Sequence, residues 1–268
     1  MQQTKIKKEL VRTIHEFRAS PLPFIEKMWG LKPQPLKPEY QRLATIANAS
    51  EFDPTCFEPF VPGKHITWQQ WLICRAVEQG INGQAPRWIT VRSGHGTGKS
   101  SIMAMLILWF LFCWRDAQVP CTAPTSEQMH DILWKELSKW LNLMPDSVKA
   151  LYVWQENYIR MAESPETWFA RAKTARKENT EALAGVHSQH VALCVDEASG
   201  VPEQIFSTAL GAFTGGNILF FMISNGTRRT GFFFDSHNKD KVSWQALHLN
   251  GEESPIVDRA FVDMIIKK

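Results

Sequence analysis

The stretch "RWITVRSGHGTGKSS" at positions 87–101 constrains this chain more than any other. An apolar, β-branched run leads into a loop with Gly94, Gly96 and Gly98 at every second position. A lysine and two serines then open a 13-residue apolar run, Ile102 to Trp114. The order predicts strand, tight turn and helix. Alternating glycines let successive backbone N–H groups turn inward as an anion-binding nest, and the helix adds its positive end. The spacing follows G-x-x-x-x-G-K-[ST], with Ser93 where that pattern has its first glycine. Ser93 must therefore hold a φ that serine adopts, and no phosphate-binding group is lost. Lys99 is spaced to reach β- and γ-phosphates, and Ser100 to offer a hydroxyl to Mg²⁺. The apolar run is too short to cross a bilayer, which needs about 20 residues, so it predicts a helix buried on most sides.

The rest of the chain after position 66 alternates strands and helices. "TWQQWLICRAVEQG" predicts a helix capped by Thr67 and ended by Gly80. "AQVPCTAP" predicts a strand, and "SEQMHDILWKELSKWL" a helix with Ser126 as N-cap. "HVALCVDEAS" and "NILFFMISNGT" carry continuous apolar runs, as buried parallel strands do. Such alternation implies a mainly parallel sheet with helical crossovers. Before it, residues 5–18 place Ile6, Leu10, Ile14 and Phe17 at helical spacing. Prolines at 21, 23, 33, 35 and 38 predict an irregular stretch over 20–38, and residues 40–50 a short helix.

The strand "VALCVD" ends in Asp196 and Glu197. Two adjacent carboxylates at the end of an apolar strand are costly to desolvate without a counter-charge. Beside a phosphate loop they divide the work: Asp196 for Mg²⁺, and Glu197 to polarise an attacking water.

Composition only narrows the field. Hydrophobic residues make up 44% of the 268, enough for a large core. A formal charge of +3 permits nucleic-acid binding without demanding it. Five cysteines, with no C-x-x-C, predict neither a disulfide framework nor a zinc knuckle. Trp109, Phe110, Phe112 and Trp114 read as core rather than as a stacking platform. The cluster Lys173, Arg176 and Lys177 reads equally as a DNA or subunit contact and as a solvated face.

Four further stretches fall in a telling order: "TWQQW" before the loop, "TAPTSEQ" after the second strand, the acidic-pair segment, and "MISNGTRRTGFFFD". Together with the loop, they resemble the large terminase subunit of tailed bacteriophages and prophages over roughly positions 20–268. The resemblance implies an α/β P-loop ATPase of the RecA-like (ASCE) kind, with a mainly parallel central sheet flanked by helices. An N-terminal helical or irregular segment, 1–60, would pack on an ATPase domain, 61–268. ATP and Mg²⁺ would be its cofactors, and packaging of double-stranded DNA into a procapsid its work.

The resemblance also implies roles by position. Ser93, Gly94, His95, Gly96, Thr97, Gly98, Lys99, Ser100 and Ser101 would bind phosphates, with Gln69 or Gln70 on the adenine edge. Arg92 matches a basic residue of the family's variant loop and joins Lys99 and Glu197 as a catalytic expectation. Ser100 and Asp196 would hold Mg²⁺. Ser224, Asn225, Gly226 and Thr227 match a motif that couples hydrolysis to movement. Arg171, Arg176, Arg228 and Arg229 are candidates for an arginine finger supplied by a ring neighbour. Expected partners are DNA, the portal and procapsid, the small terminase subunit and other copies of the chain, in the host bacterial cytoplasm with no membrane. The family's nuclease domain finds no room after the coupling motif, so DNA cutting is not expected of this chain. Two other readings stay open: a helicase-like translocase, and a nucleotide-gated assembly module with little turnover.

Overall fold

Strands buried on both sides need helices on both sides, and the apolar strands of this chain are divided in that way. The computed structural model describes residues 13–175, 186, 188–212 and 218–266. One eight-stranded sheet contains β1 Trp88–Ser93, β2 Gln118–Thr122, β3 Tyr152–Trp154, β4 Tyr158–Met161, β5 Phe169–Ala172, β6 Val191–Asp196, β7 Ile218–Ser224 and β8 Gln245–Leu249. Their spatial order is β8, β1, β7, β6, β2, β5, β4, β3. From β8 through β5 all neighbours run parallel, while β4 and β3 close one edge antiparallel.

Side chains alternate across a strand. In β6, Ala192 and Cys194 enter one core, and Leu193 and Val195 the other. In β7, Leu219, Phe221 and Ile223 oppose Phe220 and Met222 in the same way. The first core is covered by α1 Pro21–Trp29, α2 Trp68–Ile81, α3 Lys99–Cys113 and α4 Lys135–Asn142. The second is covered by α5 Glu203–Ala212 and α6 Phe232–Ser236. A last helix, α7, spans Arg259–Ile266. No helix among the described residues is long and apolar enough to cross a membrane.

The central helix α3 is buried nearly all round, as its unbroken apolar run predicts. Trp109, Phe110 and their neighbours are core. Phe17, Phe24, Ile25 and Met28 share that core, so the described part of the N-terminal segment packs directly on the phosphate-loop helix.

Several local expectations are corrected. Residues 20–38 are not wholly irregular, because Pro21 and Pro23 sit in the first turn of α1, where the missing N–H groups cost nothing. Ser20 caps that helix through Leu22 N, and Gly30 ends it at φ 68°. Residues 40–50 form separate 3₁₀ turns at Leu43–Thr45 and Ala49–Glu51, not a helix. Gly80 does not end α2, which runs to Ile81. It is small because a Cβ there would stand 3.1 Å from Pro86 O. Thr125, not Ser126, caps the helix after β2: its hydroxyl accepts from Gln128 N at 3.1 Å. That helix passes after its first two residues into a π-helical segment, Gln128–Trp134. The strands β3, β4, β5 and β8 carry no clear run in the sequence: β3, β4 and β5 are only three or four residues long, and β8 is interrupted by His248.

Candidate functional site

Ligands of open parallel sheets bind beyond the carboxyl ends of the strands. Here the ends of β1, β6 and β7 lie side by side, with Arg92 in register with Ser224, and Asp196 with Ile223. A cavity of about 550 Å³ opens above them, lined by residues including His95, Lys99, Ser100, Asp196, Glu197 and Asn225.

Two of the three alternating loop glycines take the left-handed backbone, and Gly94 does not. Gly96 and Gly98 both hold φ 74°, a conformation that side chains disfavour. Ser93 is the last residue of β1 and is not among the positive-φ positions. Its hydroxyl is hydrogen-bonded to that of buried Thr97, which ties the loop across its base.

At the mouth of the loop three segments converge on one ammonium. Lys99 Nζ lies 3.4 Å from Glu197 Oε1 and donates to Asn225 Oδ1 at 3.2 Å. Glu197 holds φ 46°, a left-handed backbone that costs a residue with a side chain about 1–3 kcal/mol. Its Oε2 lies 3.2 Å from Ser224 Oγ and accepts from Asn225 N at 3.4 Å. Ser224 and Asn225 therefore hold the glutamate directly. Asn225 Nδ2 also sits 3.1 Å from His95 Nε2, at the tip of the loop.

Ser100 Oγ donates to Asp196 Oδ2 at 3.2 Å. Asp196 is 1% exposed. Burial pushes its carboxyl up to about 6, with the Glu197 charge adding and the Glu197 N–H, Lys99 and Ser100 opposing. A buried carboxylate beside a hydroxyl is a hard-oxygen donor set whose charge a divalent cation relieves, so the pair fits Mg²⁺.

Other expected residues stand elsewhere. Gln70 spends its amide on the α2 cap, accepting from Thr67 N at 3.0 Å and donating to Gly98 O at 3.1 Å. Gln69 is fully buried and donates to Asn250 O at 2.7 Å. Neither amide lines the cavity. The Ser101 hydroxyl accepts from Trp140 Nε1 at 2.8 Å and faces α4 rather than the loop. Arg92 is corrected most clearly. Alternation along β1 sends Val91 to the first core and Arg92 to the opposite face. There it meets α6, away from Lys99. Among the arginine-finger candidates, Arg228 lines the cavity of its own chain, Arg229 lines a second cavity, and Arg171 lies on β5. Arg176 and Lys177 lie outside the described residues.

Sequence reasoning gave no role to Thr125, Gln128 and Ser199, which also line the cavity. The signal was present in "TAPTSEQ": polar residues directly after β2, whose neighbour β6 ends in the acidic pair.

On the Arg92 face, His237 Nε2 bonds Thr90 Oγ1 at 3.0 Å. Burial pushes the pKa of His237 down to about 4, with Arg92, His248 and Lys241 adding. The unfolded chain takes up this proton below about pH 6.5, and the folded chain refuses it until about pH 4. The group's contribution to stability is therefore whole above the higher value and falls with pH across that window. His237→Asn is expected to flatten the loss of urea midpoint on acidification from about pH 7 to about pH 5. Identical slopes in the two proteins would count against the shift.

The sheet, the glycine loop and the acidic pair define a P-loop α/β nucleotide-binding domain. No family model matches the chain. A curated protein of Enterobacteria phage P7, "Probable terminase, large subunit", is 34% identical over 215 residues, 75% of this chain. The chain belongs to the large terminase family. It spans 42% of that relative's length. Among solved structures, the large terminase ATPase domain of Thermus phage P74-26 is similar at TM-score 0.55 and 14% identity, covering 79% of this chain and 87% of that one. The large terminase of a thermophilic bacteriophage, solved in complex with ADP, is similar at TM-score 0.55 and 13% identity, covering 67% of this chain and 44% of that one. Both likenesses are of fold.

Proposed function

We propose that this chain hydrolyses ATP as the motor domain of viral genome packaging, driving double-stranded DNA into a procapsid. The observation that carries the reading is the convergence of Lys99, Glu197 and Asn225, from three different segments, at one point above the sheet. An incoming γ-phosphate competes with Glu197 and Asn225 for Lys99. Glu197, released from that pair, takes a proton from the attacking water. Asn225 exchanges its lysine partner for the phosphate and its water, which gives the segment after β7 two arrangements, one on each side of hydrolysis. Ser100 and Asp196 would hold Mg²⁺, which when bound neutralises charge on the β- and γ-phosphate oxygens. The loop N–H groups orient the phosphates, and Thr125 and Gln128 form the opposite wall.

The portal, procapsid, small terminase subunit and a ring of copies are the partners this reading requires, in the host cytoplasm. Arg228 lines its own chain's cavity, so a neighbour's arginine would have to enter beside it. Steady-state phosphate release, with and without duplex DNA, is the test. Turnover that duplex DNA raises is the expected result. ATP binding without turnover, with or without DNA, would favour the assembly module, and strand separation the helicase-like translocase.

A further inference from the structure

Behind the coupling segment lies a second cavity, of about 310 Å³, lined by Arg92, Gly226, Arg228, Arg229, His237 and Asn238 over a floor of Phe233 and Phe234. Three guanidiniums face it, and no carboxylate lines it among the described residues. None of the three is in an ion pair among the described residues. Their mutual repulsion and the fork geometry of arginine suit an oxyanion with several acceptor oxygens. Burial lowers the pKa values of His237 and His248, and the positive charge of Arg92 adds to the lowering in both. Phe233 is buried in the second core and Phe234 is half-buried, while the three guanidiniums give the cavity the recognition chemistry of phosphate.

The wall between the two cavities is the coupling segment itself. Asn225 and Thr227 line the first cavity, Gly226 the second, and Arg228 both. A Cβ on Gly226 would stand 2.9 Å from Arg92 Cδ, so the Arg92 side chain lies directly against that backbone. We propose that this cavity grips a backbone phosphate of nucleic acid, with Arg92 and Arg229 as its ligands and Arg228 shared with the nucleotide site. The proposal rests on the motor reading and adds the place where DNA and nucleotide act on one segment. Phosphate contacts carry no sequence information, as packaging of any sequence requires.

The test is fluorescence anisotropy of a labelled duplex at several salt concentrations, with melting temperature as the check on folding. Each phosphate contact removed lowers the salt slope by about 1. Arg92→Gln with Arg229→Gln is expected to lower it by about 2 and to weaken binding by about tenfold or more at low salt. Arg92→Lys with Arg229→Lys is expected to keep most of the slope. An unchanged slope in the glutamine variant, while DNA still stimulates ATP turnover in the parent, overturns the cavity assignment and leaves the motor reading standing. A parent chain that binds no duplex overturns both. Inorganic phosphate that binds here, in a parent that binds no duplex, would assign the cavity to a small free anion instead.

Discussion

Glu197→Gln is expected to lower ATP turnover by about 10³-fold, or about 4 kcal/mol in activation free energy, within the range of general-base removal. ATP binding should survive, because the loop N–H groups, Lys99 and Ser100 are untouched. The change keeps the shape of the side chain, and its amide oxygen still accepts from Asn225 N. It removes the charge beside Lys99 and the proton acceptor together. Single-turnover phosphate release, alongside equilibrium binding of a fluorescent ATP analogue, separates the two effects. A variant that turns over at the parent's rate would remove Glu197 from the mechanism. A variant that loses binding would mean that the Glu197–Lys99 pair organises the loop before chemistry begins.

Trp109→Ala is expected to destabilise the fold by about 3–5 kcal/mol, the range for a large aromatic removed from a core. Trp109 is fully buried in α3, and its ring meets Trp114 edge-on at 4.9 Å. Its Nε1 donates to Phe17 O at 2.7 Å, which ties the N-terminal segment to the phosphate-loop helix. Truncation leaves a void and strands that carbonyl. Urea unfolding gives the value, and Trp109→Phe should recover part of it. A loss below about 1 kcal/mol would place the residue at a site that collapses without penalty.

The legible part of the site was the part written in consecutive residues. A loop that cradles phosphate is built from its own backbone, so Gly94, Gly96, Gly98 and Lys99 announce it wherever they occur between strand and helix. The acidic pair is similar, because Asp196 and Glu197 end a strand too apolar to lie anywhere but inside. Long-range partners were less legible. Gln70 has the chemistry to read a base, yet a capping box three residues from Thr67 claims its amide first. Arg92 sits one residue from the loop, and that single residue is enough to put it on the other side of a pleated sheet.

The sequence alone determined the fold class, the phosphate loop, the paired carboxylates and a core large enough to bury α3. These follow from local periodicity, from backbone freedom at particular glycines and from the cost of burying charge. Only the tertiary structure decided which side chains meet. It brought Glu197 to Lys99 across 98 residues of chain, turned Ser101 toward Trp140, and gathered Arg92, Arg228 and Arg229 around one cavity. The physical reason is register: which strands are neighbours, and which face a residue takes, is set by the sheet as a whole and by no single segment of it.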